Sequence, residues 1–83
     1  MTDSAIAARI INALEAAADR EAGAKTALVS VTIEMLTRAD AGSVETRVQR
    51  KTRTLLFMGA EFKTDGGVPI ANASSVHKIA GAT

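Results

Sequence analysis

One helical period followed only by strand periods is the feature that most constrains this chain. Ile6, Ile10, Ala13, Leu14 and Ala17 fall at i, i+4, i+7, i+8 and i+11, a single apolar stripe along a helix. Seven alanines between Ala5 and Ala18 favour that helix and keep it thin, so it can lie close to a sheet. Asp3 or Ser4 is expected to cap its start by accepting first-turn N–H groups. Gly23 suits the left-handed position that ends it. From Lys25 to Ala80 no second helical stretch occurs.

Val29, Val31, Ile33 and Met35 alternate with Leu28, Ser30, Thr32 and Glu34, the pattern of a half-buried strand. Ala39-Asp40-Ala41-Gly42 reads as a turn. A second strand is expected over about Ser43–Thr52, with Val44, Thr46 and Val48 on one face and Glu45, Arg47 and Gln49 on the other. A third is expected over about Thr54–Lys63, carrying Leu55, Leu56, Phe57, Met58 and Phe62. Asp65-Gly66-Gly67 is a hairpin signal, because Gly supplies the positive φ that tight hairpins need. The fourth strand follows over about Val68–Ile79, with Pro69 near its start or on an edge because it cannot donate to the ladder. The 83 residues (1–83) make a single domain, and its class is α+β: one long N-terminal helix packed on an antiparallel sheet of about four strands.

Composition removes several functions. A domain of this size buries only about 60–65% of its unfolded surface, so a lone monomer is marginal. The absence of Cys excludes disulfides and thiolate metal sites. With no Trp, no Tyr and two Phe, a stacking platform for single-stranded nucleic acid is not expected. A net charge of +1 gives no electrostatic case for nucleic acid or a membrane surface. The apolar runs fall far short of the ~20 residues that span a bilayer. The N-terminal Met-Thr-Asp-Ser lacks the basic start of a signal peptide. A cytoplasmic protein is expected, with neither nucleic acid nor membrane as partner.

A longer pattern lies over these elements. Val31-Thr32-Ile33-Glu34-Met35-Leu36 is followed by Ala39 and Gly42, then by Val48-Gln49-Arg50-Lys51-Thr52-Arg53-Thr54-Leu55-Leu56-Phe57. Ala60-Glu61-Phe62 comes next, then Asp65-Gly66-Gly67-Val68-Pro69-Ile70-Ala71 and Ala73. In this order and spacing the segment Val29–Ala80 resembles the hotdog-fold thioesterases, in particular the PaaI-type, phenylacetyl-CoA thioesterase-like branch. Ser4–Gly23 is similar to the long central helix that their sheet wraps. The resemblance implies a hotdog-like fold and a homodimer or homotetramer whose sheets join edge to edge. It also implies acyl-CoA clefts at the subunit interface, with a CoA thioester as substrate or ligand and no other cofactor.

The same resemblance implies a His-Gly-Gly motif opening the helix and an Asp or Glu about two turns further in. The Gly N–H polarises the thioester carbonyl, and the carboxylate activates water or attacks. Counted back from Leu28 without gaps, the motif would fall at or before Met1–Asp3, where it is not found. The carboxylate would fall near Arg9, Ile10 or Ile11, none of them acidic. Asn12 is the nearest polar carbonyl side chain, and a position often held by Ser or Thr corresponds to about Leu28. Relative to the family the chain is expected to be N-terminally short, without the usual first strand.

The candidate residues follow. Asp3 and Asn12, with Ser4, are the candidate catalytic residues, beside helix-end N–H groups able to stabilise an oxyanion. Arg47, Arg50, Lys51 and Arg53 place four of the ten basic residues in seven positions. Arg50, Lys51 and Arg53 are the candidate contacts to CoA phosphates, against the plainer reading of a solvated strand end that resists edge pairing. Glu34 sits on the more polar face of its strand. His77 is the only His, so no metal site is expected. Ser74 and Ser75 lack a nucleophile-elbow context, so no reactive Ser-His pair with His77 is expected. Two functions are expected. The first is an acyl-CoA thioesterase-like protein that hydrolyses or binds acyl-CoA thioesters at a subunit interface. The second is a non-catalytic hotdog protein, an acyl-CoA binder or a structural oligomer, that has lost the His-Gly-Gly and acidic positions.

Overall fold

Thr2, not Asp3 or Ser4, caps the helix in the computed structural model, which describes residues 1–79. Its backbone is extended and its hydroxyl accepts from the Ala5 N–H at 3.1 Å, so Asp3 and Ser4 already lie within the first turn. Helix α1 runs Asp3–Ala22, with acidic Asp3 in its first turn and basic Arg20 in its last, both favourable to the helix dipole. Gly23 ends it at φ 67, a left-handed conformation that a Cβ would strain.

Four strands follow: β1 (Thr26–Met35), β2 (Ser43–Lys51), β3 (Leu55–Lys63) and β4 (Pro69–Ile79). Ala80, the end of the sequence pattern quoted above, lies outside the described residues. The protein is therefore α+β, with one N-terminal helix packed on a four-stranded antiparallel sheet. The sheet order is β1-β4-β3-β2, so β1 and β2, adjacent in sequence, form opposite edges. The segment 36–42 is accordingly a crossover and not a hairpin turn. It runs past the N-terminal end of α1, where the N–H groups of Leu36 and Thr37 both donate to the Ile70 carbonyl at 2.8 and 3.1 Å. Gly42 passes so close to the sheet that a Cβ there would sit 2.5 Å from Phe62 Cε1 and 2.9 Å from Ile70 Cδ1.

Register shifts in β1, in β2 and between β3 and β4 at Phe62/Lys63 reset which side chains face the helix. The first two are bulges, between Leu28 and Ser30 in β1 and between Val48 and Arg50 in β2. Val29 is the extra residue in β1, and it is 59% exposed instead of sharing the inner face of Val31 and Ile33. The helix face is filled by Ile6, Ile10 and Leu14 of α1 against Leu56, Met58 and Phe62 of β3 and Ile70 and Ala71 of β4. Ala17 and Ala18 complete it towards the helix C-terminus. Asp19 accepts both the N–H and the hydroxyl of Thr26, at 2.8 and 2.7 Å, and fastens the end of α1 to the start of β1. Among the described residues no helix is long and apolar enough to cross a membrane.

Ile10 and Leu14 are 0% and 1% exposed. Truncating either to Ala is expected to cost about 2–5 kcal/mol, because it removes buried methyl groups and leaves a cavity. Glu15→Ala, on the exposed side, is expected to stay within about 0.5 kcal/mol. Denaturant melts that ranked these substitutions in the opposite order would show that the helix face is wrong.

Candidate functional site

A cavity of about 180 Å³ opens beside the N-terminus of α1, lined by Asp3, Ile6, Met35, Leu36, Thr37 and Arg38. Its formation follows from the chain path. Met35 ends β1, and the crossover must then turn past the helix end, held by the paired N–H bonds to Ile70. Ile6, 2% exposed, belongs to the core, while Met35 and Leu36 stay 41% and 47% exposed. Arg38 and Asp3 carry the charge, with Arg38 NH2 3.5 Å from Asp3 Oδ2. The lining is therefore part apolar and part charged, close to the partial positive charge of a helix N-terminus. The volume is below the roughly 300–1,000 Å³ typical of drug-sized ligands, so by itself the cavity suits only a small group.

The candidate residues are not gathered at this cavity. Asp3 lines it, and Ser4 lies alongside with its hydroxyl 3.2 Å from that of Thr2. Asn12 is exposed and does not line it. Nine residues separate Asp3 from Asn12, about 13 Å along the helix axis at 1.5 Å per residue. Of the positions where the resemblance implies a carboxylate, Ile10 is fully buried in the core. Arg9 stretches across the sheet edge, donating to the Gly42 carbonyl at 3.3 Å and lying 5.0 Å from the Phe62 ring centroid. Leu28 is paired in register with His77 and is 37% exposed.

The basic segment occupies the other end of the sheet, and the alternation of side chains along β2 divides it. Arg50 pairs with Phe57, and its guanidinium lies 6.0 Å from that ring. Lys51 pairs with Leu56 on the helix side, and its Nζ donates to the Glu21 carbonyl at 3.0 Å, where a cation suits the helix C-terminus. Arg53 is exposed in the connection to β3. The length of α1, 20 residues or about 30 Å, separates this end from Asp3. Glu34 is exposed and pairs with Asn72.

Sequence reasoning missed one grouping, and weighed a second only as a reactive pair. Leu36 to Arg38 extend an apolar strand end into the cavity wall, and the signal was an apolar pair, Met35-Leu36, running past the last alternating position. The second grouping is Ser75 and His77, whose Oγ and Nε2 lie 2.7 Å apart. Two-residue spacing on one strand puts both on the same face, which the sequence pattern did contain. They are 3% and 0% exposed, so this pair is closed to substrate and is not a catalytic dyad. Burial lowers the His77 pKa, against the opposite pull of the Glu15 and Asp19 carboxylates. The Thr26 hydroxyl and N–H lower that of Asp19. Among the described residues no group of three or more His, Asp or Glu side chains is placed to hold a metal ion. No family model matches the chain, and no curated protein matches it.

Because the Asp19 pKa is lowered on folding, the folded state binds its proton less readily than the unfolded state. Its contribution is present above the ordinary value of 3.8 and is lost as pH falls through the lowered one. Asp19→Ala is therefore expected to lower stability at neutral pH and to flatten the acid limb of the denaturant midpoint. An acid limb of unchanged steepness in the variant would remove Asp19 from that role.

Proposed function

We propose that this protein is a hotdog-type acyl-CoA-binding protein of the thioesterase superfamily, working as a homodimer or homotetramer with its ligand at a subunit interface. The observation that carries this reading is the cavity at the N-terminus of α1, which opens beside the end of an unpaired edge strand. Four of the seven large exposed hydrophobic residues, Leu28, Val29, Met35 and Leu36, lie on or just after β1. The opposite edge, β2, carries Glu45, Arg47, Arg50 and Lys51, the charges that discourage edge pairing. A second copy therefore joins at β1. Antiparallel pairing of two β1 strands sets the start of one beside Met35 of the other and adds a wall to a cavity otherwise too small for an acyl chain. It also turns the Arg50 and Arg53 end of one subunit towards the cavity end of the other. A CoA whose thioester rests at one helix N-terminus then meets phosphate-binding cations of the second chain.

Binding, without efficient hydrolysis, is the role the residues favour. A thioesterase needs a positioned base or nucleophile, and general-base help is typically worth about 10²–10⁴-fold. The stretch Arg9 to Ile11 supplies none, and Asn12 does not reach the cavity. Asp3 is the carboxylate at the cavity and the residue through which any turnover would run.

Sedimentation equilibrium at micromolar concentration is expected to show a dimer or tetramer, and Val29→Lys is expected to shift it towards monomer. A stable, well-folded wild-type monomer would overturn the assembly.

Calorimetric titration with CoA and phenylacetyl-CoA is expected to show binding that weakens in Arg50→Ala/Arg53→Ala and with rising salt, since the contact is exposed. Thioester hydrolysis is expected to be weak or absent, with any residual turnover lost in Asp3→Asn. Equal affinity in wild type and double variant would remove the basic end from the site. Absence of binding in either would leave the structural oligomer as the function.

A further inference from the structure

Ser75 and His77 are the buried polar side chains of a core otherwise built from aliphatic groups, methionine and one phenylalanine. His77 is fully buried between Leu28 of β1 and Leu56 of β3, its register partners. Its Nε2 meets the Ser75 hydroxyl at 2.7 Å, and its Nδ1 is buried with no hydrogen-bond partner among the described residues. Whichever nitrogen carries the proton of the neutral ring, one polar atom is left unsatisfied, which makes this the least comfortable point of the core. The imidazolium form is worse. It presents two N–H donors where a single acceptor stands, and it carries a charge into an apolar layer.

We propose that His77 is an acid-sensitive latch: its protonation releases the end of α1 beyond Leu14 from the sheet. At this end the helix is held by exposed or part-buried polar ties, Asp19 to Thr26 and Lys51 to the Glu21 carbonyl, and by little buried apolar area. Ile6, Ile10 and Leu14 anchor the helix, but beyond Leu14 the buried contacts are Ala17 and Ala18. Burial drives release once the ring is protonated, and it outweighs the neighbouring carboxylates, which oppose it by favouring the charged ring in the closed form. On α1, the Glu15 and Asp19 carboxylates both act on His77. Asp19 is committed to Thr26, beside Lys25, while Glu15 has an exposed side chain that is free to turn to an imidazolium. From β3 and β1 the register partners are Leu56 and Leu28, which bring no charge. From β2, Lys51 lies opposite Leu56 with its ammonium held at the Glu21 carbonyl.

The sign follows from burial. The closed form binds the His77 proton less readily than the open or unfolded form. Closure is therefore complete above the ordinary histidine value of 6.5 and weakens as pH falls below it. With one proton taken up, each pH unit inside that window shifts the closed-to-open ratio by up to about tenfold. The window lies well above that of Asp19, whose ordinary value is 3.8, so the two acid effects are separable.

His77 is the only histidine in the chain, so its ring signals can be followed in the wild-type protein by NMR without substitution. Amide hydrogen exchange of α1 is measured in parallel between pH 7.5 and pH 4.5, corrected for intrinsic rates. The expected result is a ring that stays neutral below the ordinary histidine range. Its protonation should coincide with loss of protection at Ala16 to Ala22, while Ile10 and the β3–β4 amides stay protected. In His77→Gln, which cannot titrate, protection of Ala16 to Ala22 should no longer change over this range. Protonation of the ring with no change in helix protection would overturn the latch. So would loss of protection throughout the molecule at once, or pH-dependent opening that persists in His77→Gln. If His77→Gln fails to fold, the wild-type ring titration set against helix protection decides alone.

Discussion

The contact between one thin helix and the middle of the sheet supports everything else in this structure. Ile6, Ile10 and Leu14 meet Leu56, Met58 and Phe62 across a layer in which each of these side chains is essentially dry. Burying such a side chain is worth about 1.5–3 kcal/mol relative to leaving it exposed, and few other sources of stability exist in a chain of 83 residues without Cys. The helix must also lie close, because Ala17, Ala18, Ala60, Ala71 and Ala73 leave little volume between the layers. That closeness explains why Gly42 tolerates no Cβ where the crossover passes Phe62 and Ile70.

The strand order turns this contact into a surface. Placing β4 between β1 and β3 sends the two strands nearest in sequence to opposite edges. The crossover that joins them has to pass the N-terminus of α1, and the cavity forms there because Met35 and Leu36 end the strand before the chain can close over the helix end. The two edges then differ in character. Both carry a bulge, but β2 is charged, with its last lysine drawn to the helix C-terminus, whereas β1 is largely apolar. Such asymmetry directs pairing to one side. The proposed assembly and the proposed ligand site thus depend on the same topological choice.

Much of the fold was legible in the sequence, and less of the site. The strand limits lie within a few residues of those expected from alternation, and Gly23 ends the helix as its conformational freedom suggests. Alternation failed at Val29 and around Gln49, because a bulge inserts a residue that no period-two count can detect. Of Asp3, Asn12, Arg50, Lys51 and Arg53, only Asp3 reaches the cavity, because nearness along the chain does not fix which residues share one end of the sheet. Lys51 parts from Arg50 because successive residues of a strand point to opposite faces. The pairing of Ser75 with His77 was present as spacing, but its burial depends on where the helix lies.

The sequence alone determined the class of structure: a 3.6-residue period followed by 2-residue periods commits the chain to one helix and several strands, with Ile10 and Leu14 facing inward. These are local properties, set by backbone geometry and by the side on which apolar groups fall. Tertiary structure alone decided the order of strands, the depth of His77 and the separation of Asp3 from the basic end. Each of those depends on hydrogen bonds and contacts between residues distant in the chain, such as Leu36 with Ile70 and Thr26 with Ile79. No periodicity encodes which distant strand supplies the partner, because alternation looks the same beside any neighbour.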